Sequence, residues 1–178
     1  MSKAVMLSIR PQWCQKIASG EKTIEVRKTK PKLETPFKCY IYCIRDKHLA
    51  FMQNQTGTNL IACMDVDAAI PVGGAIGNGK VIGEFTCDRI DRLAPANDPY
   101  GIYDIDDNYV LQTCLENGAL WDYGHGTPLY GWHISDLRIY DKARELSEFT
   151  GLRDTRFGAA PYDIKCAPQS WCYVGTLF

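Results

Sequence analysis

Between Val5 and Arg27 the spacing of the apolar residues changes period twice, and this limits what the chain can become. In "VMLSIR", Val5, Leu7 and Ile9 alternate with Met6, Ser8 and Arg10, which predicts a strand. In "PQWCQKIASG" the period lengthens: Trp13, Cys14, Ile17 and Ala18 share one helical face. Pro11 suits the first helical position and Gly20 the C-terminal cap. From Thr23 alternation returns, with Ile24 and Val26 on one side and Thr23, Glu25 and Arg27 on the other.

The rest of the sequence is dominated by strand patterns. "PFKCYIYCIR", "GKVIGEFTCDRI" from Lys80, "LYGWHISDLRIY" and "SWCYVGTLF" all read as strands. Gly83 marks a bulge or a close backbone approach. In the third segment Trp132 and Ile134 lie on one face but Leu137 and Ile139 on the other, so a β-bulge is expected near Ser135-Asp136. "DDNYVLQTCLENG" predicts one helix, capped by Asp106 or Asp107 and closed by Asn117-Gly118. Residues 46–78 read as an insertion or long hairpin arm, and residues 150–166 as a loop-rich excursion. Helices are too few for repeated βαβ units. The expectation is one α+β domain over residues 1–178, a mostly antiparallel β-barrel or curled sheet with a few short helices.

Composition narrows the function. Of 178 residues 46% are apolar, enough for a core, and the formal net charge is −1. A chain so balanced does not coat nucleic acid by bulk electrostatics, so any phosphate contact must come from a local basic patch. Lys22, Arg27, Lys28, Lys30 and Lys32 form one, although a charge run by itself is more often a solvated loop. The first ten residues lack the apolar stretch of a signal peptide, and no apolar run approaches a membrane span, so a cytoplasmic location is expected. Eight cysteines occur without a CxxC pair. Cys39 and Cys43 alternate with core positions and read as small buried hydrophobes; no metal or other cofactor is expected.

Two nucleotide motifs fail on inspection. "GAIGNGKV" has Val81 where a phosphate-binding loop needs Ser or Thr, and a strand follows it in place of a helix. The HxE and PCxxC elements of a zinc deaminase are missing. His133, within a strand, reads as a structural partner. The aromatic residues offer stacking surfaces, and Trp171, after polar Gln169 and Ser170, is the one singled out for ligand contact.

"LSIRPQWCQKIASGEKTIEVRK" resembles the opening of an ASCH domain, a family of the PUA-like superfamily. Its G-x-K-x-x-E-x-R signature is met by Gly20, Lys22, Glu25 and Arg27. "GKVIGEFTCDRID", "YGWHISDLRIYDKARELSEF" and "APQSWCYV" are similar to a bacterial and phage-borne branch. The resemblance implies a PUA-like β-barrel with a cleft beside the first helix. It also implies binding of RNA or of a nucleotide or nucleoside, with Lys22, Glu25 and Arg27 lining the cleft and Arg10 and Trp171 nearby. Residue chemistry is compatible: Arg supplies a planar donor fork, Lys a point charge, and an ionised Glu accepts from a base amino group. The alternative from the residues alone is a surface salt bridge of little consequence.

One departure separates the chain from part of that family. Amidohydrolase members that deacetylate N4-acetylcytidine carry a nucleophilic Thr three positions after the signature lysine; here that residue is Glu25. A carboxylate has no hydroxyl for simple acyl transfer. A binding module is therefore the first expectation. The alternative is a hydrolase acting on a modified nucleoside or on RNA, with Lys22 and Glu25 as its acid–base pair.

Overall fold

The computed structural model describes residues 2–54, 61–70, 72, 74–96 and 102–177. The chain starts as expected, with strand β1 (Lys3–Ile9), helix α1 (Pro11–Ala18) and strand β2 (Ile24–Arg27). Then come β3 (Phe37–Cys43), β4 (Leu49–Asn54), β5 (Ile61–Asp65), β6 (Gly74–Ile76) and the long β7 (Lys80–Leu93). Helices α2 (Asp107–Thr113) and α3 (Asn117–Gly124) precede β8 (Leu129–Arg144), and β9 (Thr150–Thr155), β10 (Gly158–Asp163) and β11 (Trp171–Gly175) complete the chain. Among the described residues no helix is long and apolar enough to cross a membrane.

The α+β, mostly antiparallel expectation holds, but the sheet does not close. Eight strands run in the order β10-β9-β11-β1-β3-β7-β8-β2, and a separate three-stranded sheet has the order β5-β4-β6. β10 and β2 remain as edges, so the barrel is a curled, open sheet. β1 and β3 are parallel and sit centrally. Accordingly they are buried on both faces: Cys39, Ile41 and Cys43 join Val5, Leu7 and Ile9 under Cys14 and Ile17 of α1. Tyr40 and Tyr42 join Ala4, Met6 and Val174 on the reverse face.

Both expected irregularities occur. The β7–β8 register shifts between Val81 and Gly83, where a Cβ on Gly83 would lie 2.6 Å from the Arg138 carbonyl oxygen. Asp136 takes a φ of +48° between the pairs Thr86–Ser135 and Glu84–Arg138. A third register shift lies between Cys87 and Ile90, and irregularities of this kind locally increase the twist and bend of a strand pair.

Three readings change. The helix expected over "DDNYVLQTCLENG" is two: Asp106 caps α2 through the Tyr109 amide at 2.7 Å, but Cys114 ends it with a φ of +54°. Asn117 begins α3 because its side chain is bonded to both backbone groups of Tyr103, at 2.6 and 3.0 Å. The expected loop-rich excursion is a β9–β10 hairpin, with β9 paired to β11 through Tyr173–Leu152. Pro161 obscures that strand in sequence, and an edge strand tolerates it. In residues 46–78, Phe51 of β4 is fully buried in the main core below α1, while part of "QNQTGTN" and of "PVGG" lies outside the described residues.

Candidate functional site

Gly20 has a φ of +82° and turns the chain sharply after α1. Its amide donates to the Ile17 carbonyl, three residues back, and the Lys22 amide to that of Lys16, six residues back. Lys22 is thereby folded under Trp13, with its ammonium 5.2 Å from the indole centroid. The ammonium also donates to the carbonyl oxygen of Thr113, at the end of α2.

β2 then pairs antiparallel with β8, Glu25 opposite Trp132 and Arg27 opposite Tyr130. Alternation sends Glu25 and Arg27 to the same side as each other, as expected, while Val26 packs with Leu93, Tyr103, Leu120 and Leu129. The Arg27 guanidinium donates to Glu25 Oε1 at 3.0 Å and to the Ser8 carbonyl at 2.8 Å. Lys22 Nζ stands 3.5 Å from Glu25 Oε2. The trio is not a surface salt bridge: Lys22 is 2% exposed, Glu25 6% and Arg27 8%.

Two cations around one carboxylate leave one positive charge in excess. Two buried polar atoms of the trio have no hydrogen-bond partner among the described residues: Glu25 Oε2 and Arg27 Nε. The trio lines a cavity of about 450 Å³. Arg10, Trp13, Tyr123 and Gln169 complete much of its wall. Burial pushes the Tyr123 phenol above its ordinary value, an effect opposed by Arg27 and reinforced by Glu25. Lys28 caps the ring of Tyr123 at 4.9 Å.

Arg10 is exposed and lines the cavity. Trp171 is not among the lining residues. Its indole donates to Thr29 Oγ1 at 2.9 Å and packs edgewise on Tyr173, and the three residues before it, Pro168 to Ser170, form the wall instead. Ser8, Thr113 and Tyr123 had no signal as site residues. Each contributes through a contact between segments remote in sequence, two of them through a backbone carbonyl that any residue type carries.

No protein-family model matches the sequence, and no curated protein matches it. Solved structures do. The crystal structure of ASCH from Zymomonas mobilis aligns over 96% of this chain and 86% of its own, with a TM-score of 0.55 and 18% sequence identity. The chain has the ASCH fold. Structures of two single-substitution variants of the Zymomonas mobilis protein agree, with TM-scores of 0.55 and 0.51, each at 18% identity. They align over 96% and 97% of this chain and 87% and 90% of theirs. In this chain the ASCH fold puts the lysine, glutamate and arginine of the expected signature at one cavity wall, with Gly20 as the turn that makes this possible.

Proposed function

We propose that the cavity beside α1 binds RNA or a nucleotide or nucleoside, taking one nucleotide unit against the Lys22–Glu25–Arg27 wall. The supporting observation is the buried, charge-unbalanced trio in the cavity wall, with Glu25 Oε2 and Arg27 Nε making no hydrogen bond among the described residues. A carboxylate oxygen next to a guanidinium N–H offers one acceptor and one donor, a pattern complementary to an amino-bearing base edge such as that of cytosine. The excess positive charge suits a phosphate. Trp13 and Tyr123 supply aromatic surface for stacking.

Calorimetric titration with the four ribonucleosides and their 5′-monophosphates tests this. Binding of at least one, abolished or strongly weakened by Glu25→Gln, is the expected result. Absence of binding across the panel, together with no salt-sensitive binding of a single-stranded RNA, overturns it. The alternative is hydrolysis of a modified nucleoside or of RNA by Lys22 and Glu25. It is less well supported because the Lys22 ammonium is already engaged by the Thr113 carbonyl and Glu25, and because the position of the nucleophilic hydroxyl is held by Glu25.

A further inference from the structure

A second cavity, of about 540 Å³, adjoins the first. Ile44 lines both. The loop after β10 also runs under both: Ile164 to Ala167 line the second cavity, and Pro168 to Ser170 the first. Ala167 and Pro168 are consecutive, so the two walls meet within about 3.8 Å of chain. The loop is held in place at this junction. Ser8 Oγ donates to the Pro168 carbonyl at 2.6 Å, and the Ser8 amide to that of Ser170 at 2.9 Å.

The second cavity has its own chemistry. Arg45 and Lys165 line it, both exposed. Among the described residues neither takes part in an ion pair. The acidic side chain in the wall, Glu145, is instead bonded to Lys80 at 2.8 Å. Arg45 is not a free arm. It lies across Gly79, where an added Cβ would come within 3.0 Å of its Nε, and the φ of +79° there independently favours glycine. Ile44, Leu146 and Ile164 give the cavity an apolar floor.

We propose that this second cavity is the subsite for the neighbouring nucleotide of a single-stranded RNA, with Arg45 and Lys165 on its phosphates and the apolar floor under its base. The inference rests on the nucleotide reading of the first cavity and deepens it: the ligand is an oligonucleotide, and Ile44 separates two consecutive units. Two cations outside any ion pair among the described residues, set beside apolar side chains in one cavity, match a backbone phosphate next to a base. On a chain of net charge −1, their pairing with a cavity is what gives them local effect.

The test compares a fluorescent single-stranded RNA of eight random nucleotides with the four ribonucleoside monophosphates, on wild type and on Arg45→Ala/Lys165→Ala. The double variant is expected to bind the oligonucleotide about tenfold more weakly, with the slope of log K against log salt reduced by about 1.4, two phosphates at roughly 0.7 each. Its mononucleotide affinity should be that of wild type, which also reports an intact first cavity. Arg153→Ala/Arg156→Ala, which removes two exposed cations from the β9–β10 hairpin outside both cavities, should leave both affinities unchanged. Wild-type-like oligonucleotide binding by the cavity variant overturns the subsite. So does an equal loss in the hairpin variant, or oligonucleotide binding no tighter than mononucleotide binding in wild type. If wild type binds neither ligand, the reading of the first cavity fails, and this one with it.

Discussion

Arg27 Nη2 lies 3.0 Å from Glu25 Oε1, with each side chain only 9% exposed. Lys22 is on the opposite side of the same carboxylate, 3.5 Å from Oε2. Glu25 is thus the one negative charge between two buried positive ones, and its removal has consequences for stability as well as for binding.

Glu25→Ala should destabilise the fold by about 3–5 kcal/mol, because it leaves two like charges buried and uncompensated. Glu25→Gln keeps the shape and an acceptor oxygen and should cost less. Urea denaturation of the two variants measures the difference. A Glu25→Ala protein as stable as wild type would mean that the trio is solvated in solution.

Ligand binding should respond to Glu25→Gln by about 1–3 kcal/mol, the cost of a buried donor left without its charged acceptor. The wild type should not deacetylate N4-acetylcytidine, since Glu25 has no hydroxyl to acylate. Mass spectrometry of the nucleoside after incubation reads this directly; rapid release of cytidine would move Glu25 or Thr23 into a catalytic role.

Gly20 and Gly83 are required for opposite reasons, and alanine substitution separates them. At Gly20 a Cβ meets nothing within 4 Å, but the φ is +82°, so Gly20→Ala should cost about 1–2 kcal/mol in backbone strain alone. Gly83 has no unusual φ, but its Cβ would strike the Arg138 carbonyl oxygen at 2.6 Å and the Ile139 Cα at 3.1 Å. Gly83→Ala should cost about 1–3 kcal/mol and disturb the β7–β8 register. Asparagine at each position distinguishes them: it is tolerated in the left-handed region and should partly rescue position 20 but not 83.

Alkaline pH should unfold the protein through its buried thiols. Burial pushes Cys87 from an ordinary value of 9.0 up to about 12, and the Cys14 and Cys39 thiols are also raised, each chiefly by burial. Between pH 9 and 12 the unfolded chain has lost the Cys87 proton while the folded chain keeps it. Fewer protons on the unfolded state mean that stability falls as pH rises. Chemical denaturation across that interval should show the decline, and Cys87→Ala should reduce its slope while lowering stability at pH 7.

What could be read locally was read from the sequence. Pro11 and Gly20 bound α1 because cap positions are set by the backbone of a few adjacent residues. The Ser135-Asp136 bulge was legible because a change of parity on one strand needs no knowledge of its partner. Asn117 misled, because its usual role at a helix end gave way to a bond with Tyr103, fourteen residues earlier. The β9–β10 hairpin was hidden because Pro161 argues against a strand unless the strand is known to be an edge.

At the site the division follows the same line. Alternation along residues 23 to 27 by itself directed Glu25 and Arg27 to one side of β2, since side chains on a strand point alternately whatever surrounds them. That Lys22 would be buried, and not solvated like most lysines, depended on the Thr113 carbonyl at the end of a helix ninety-one residues later. That Arg27 would be held by the Ser8 carbonyl depended on the end of β1, nineteen residues earlier, and that Tyr123 would line the same cavity depended on α3, whose Leu120 packs with Val26 of β2. Whether the curled sheet closes also rests on pairings between distant segments, because a strand's hydrogen-bonding edges are chemically alike in every sequence. The residues set which groups are present and which way they point. Burial, and with it the strength of every charge in the cavity, is decided only when remote segments exclude water from them.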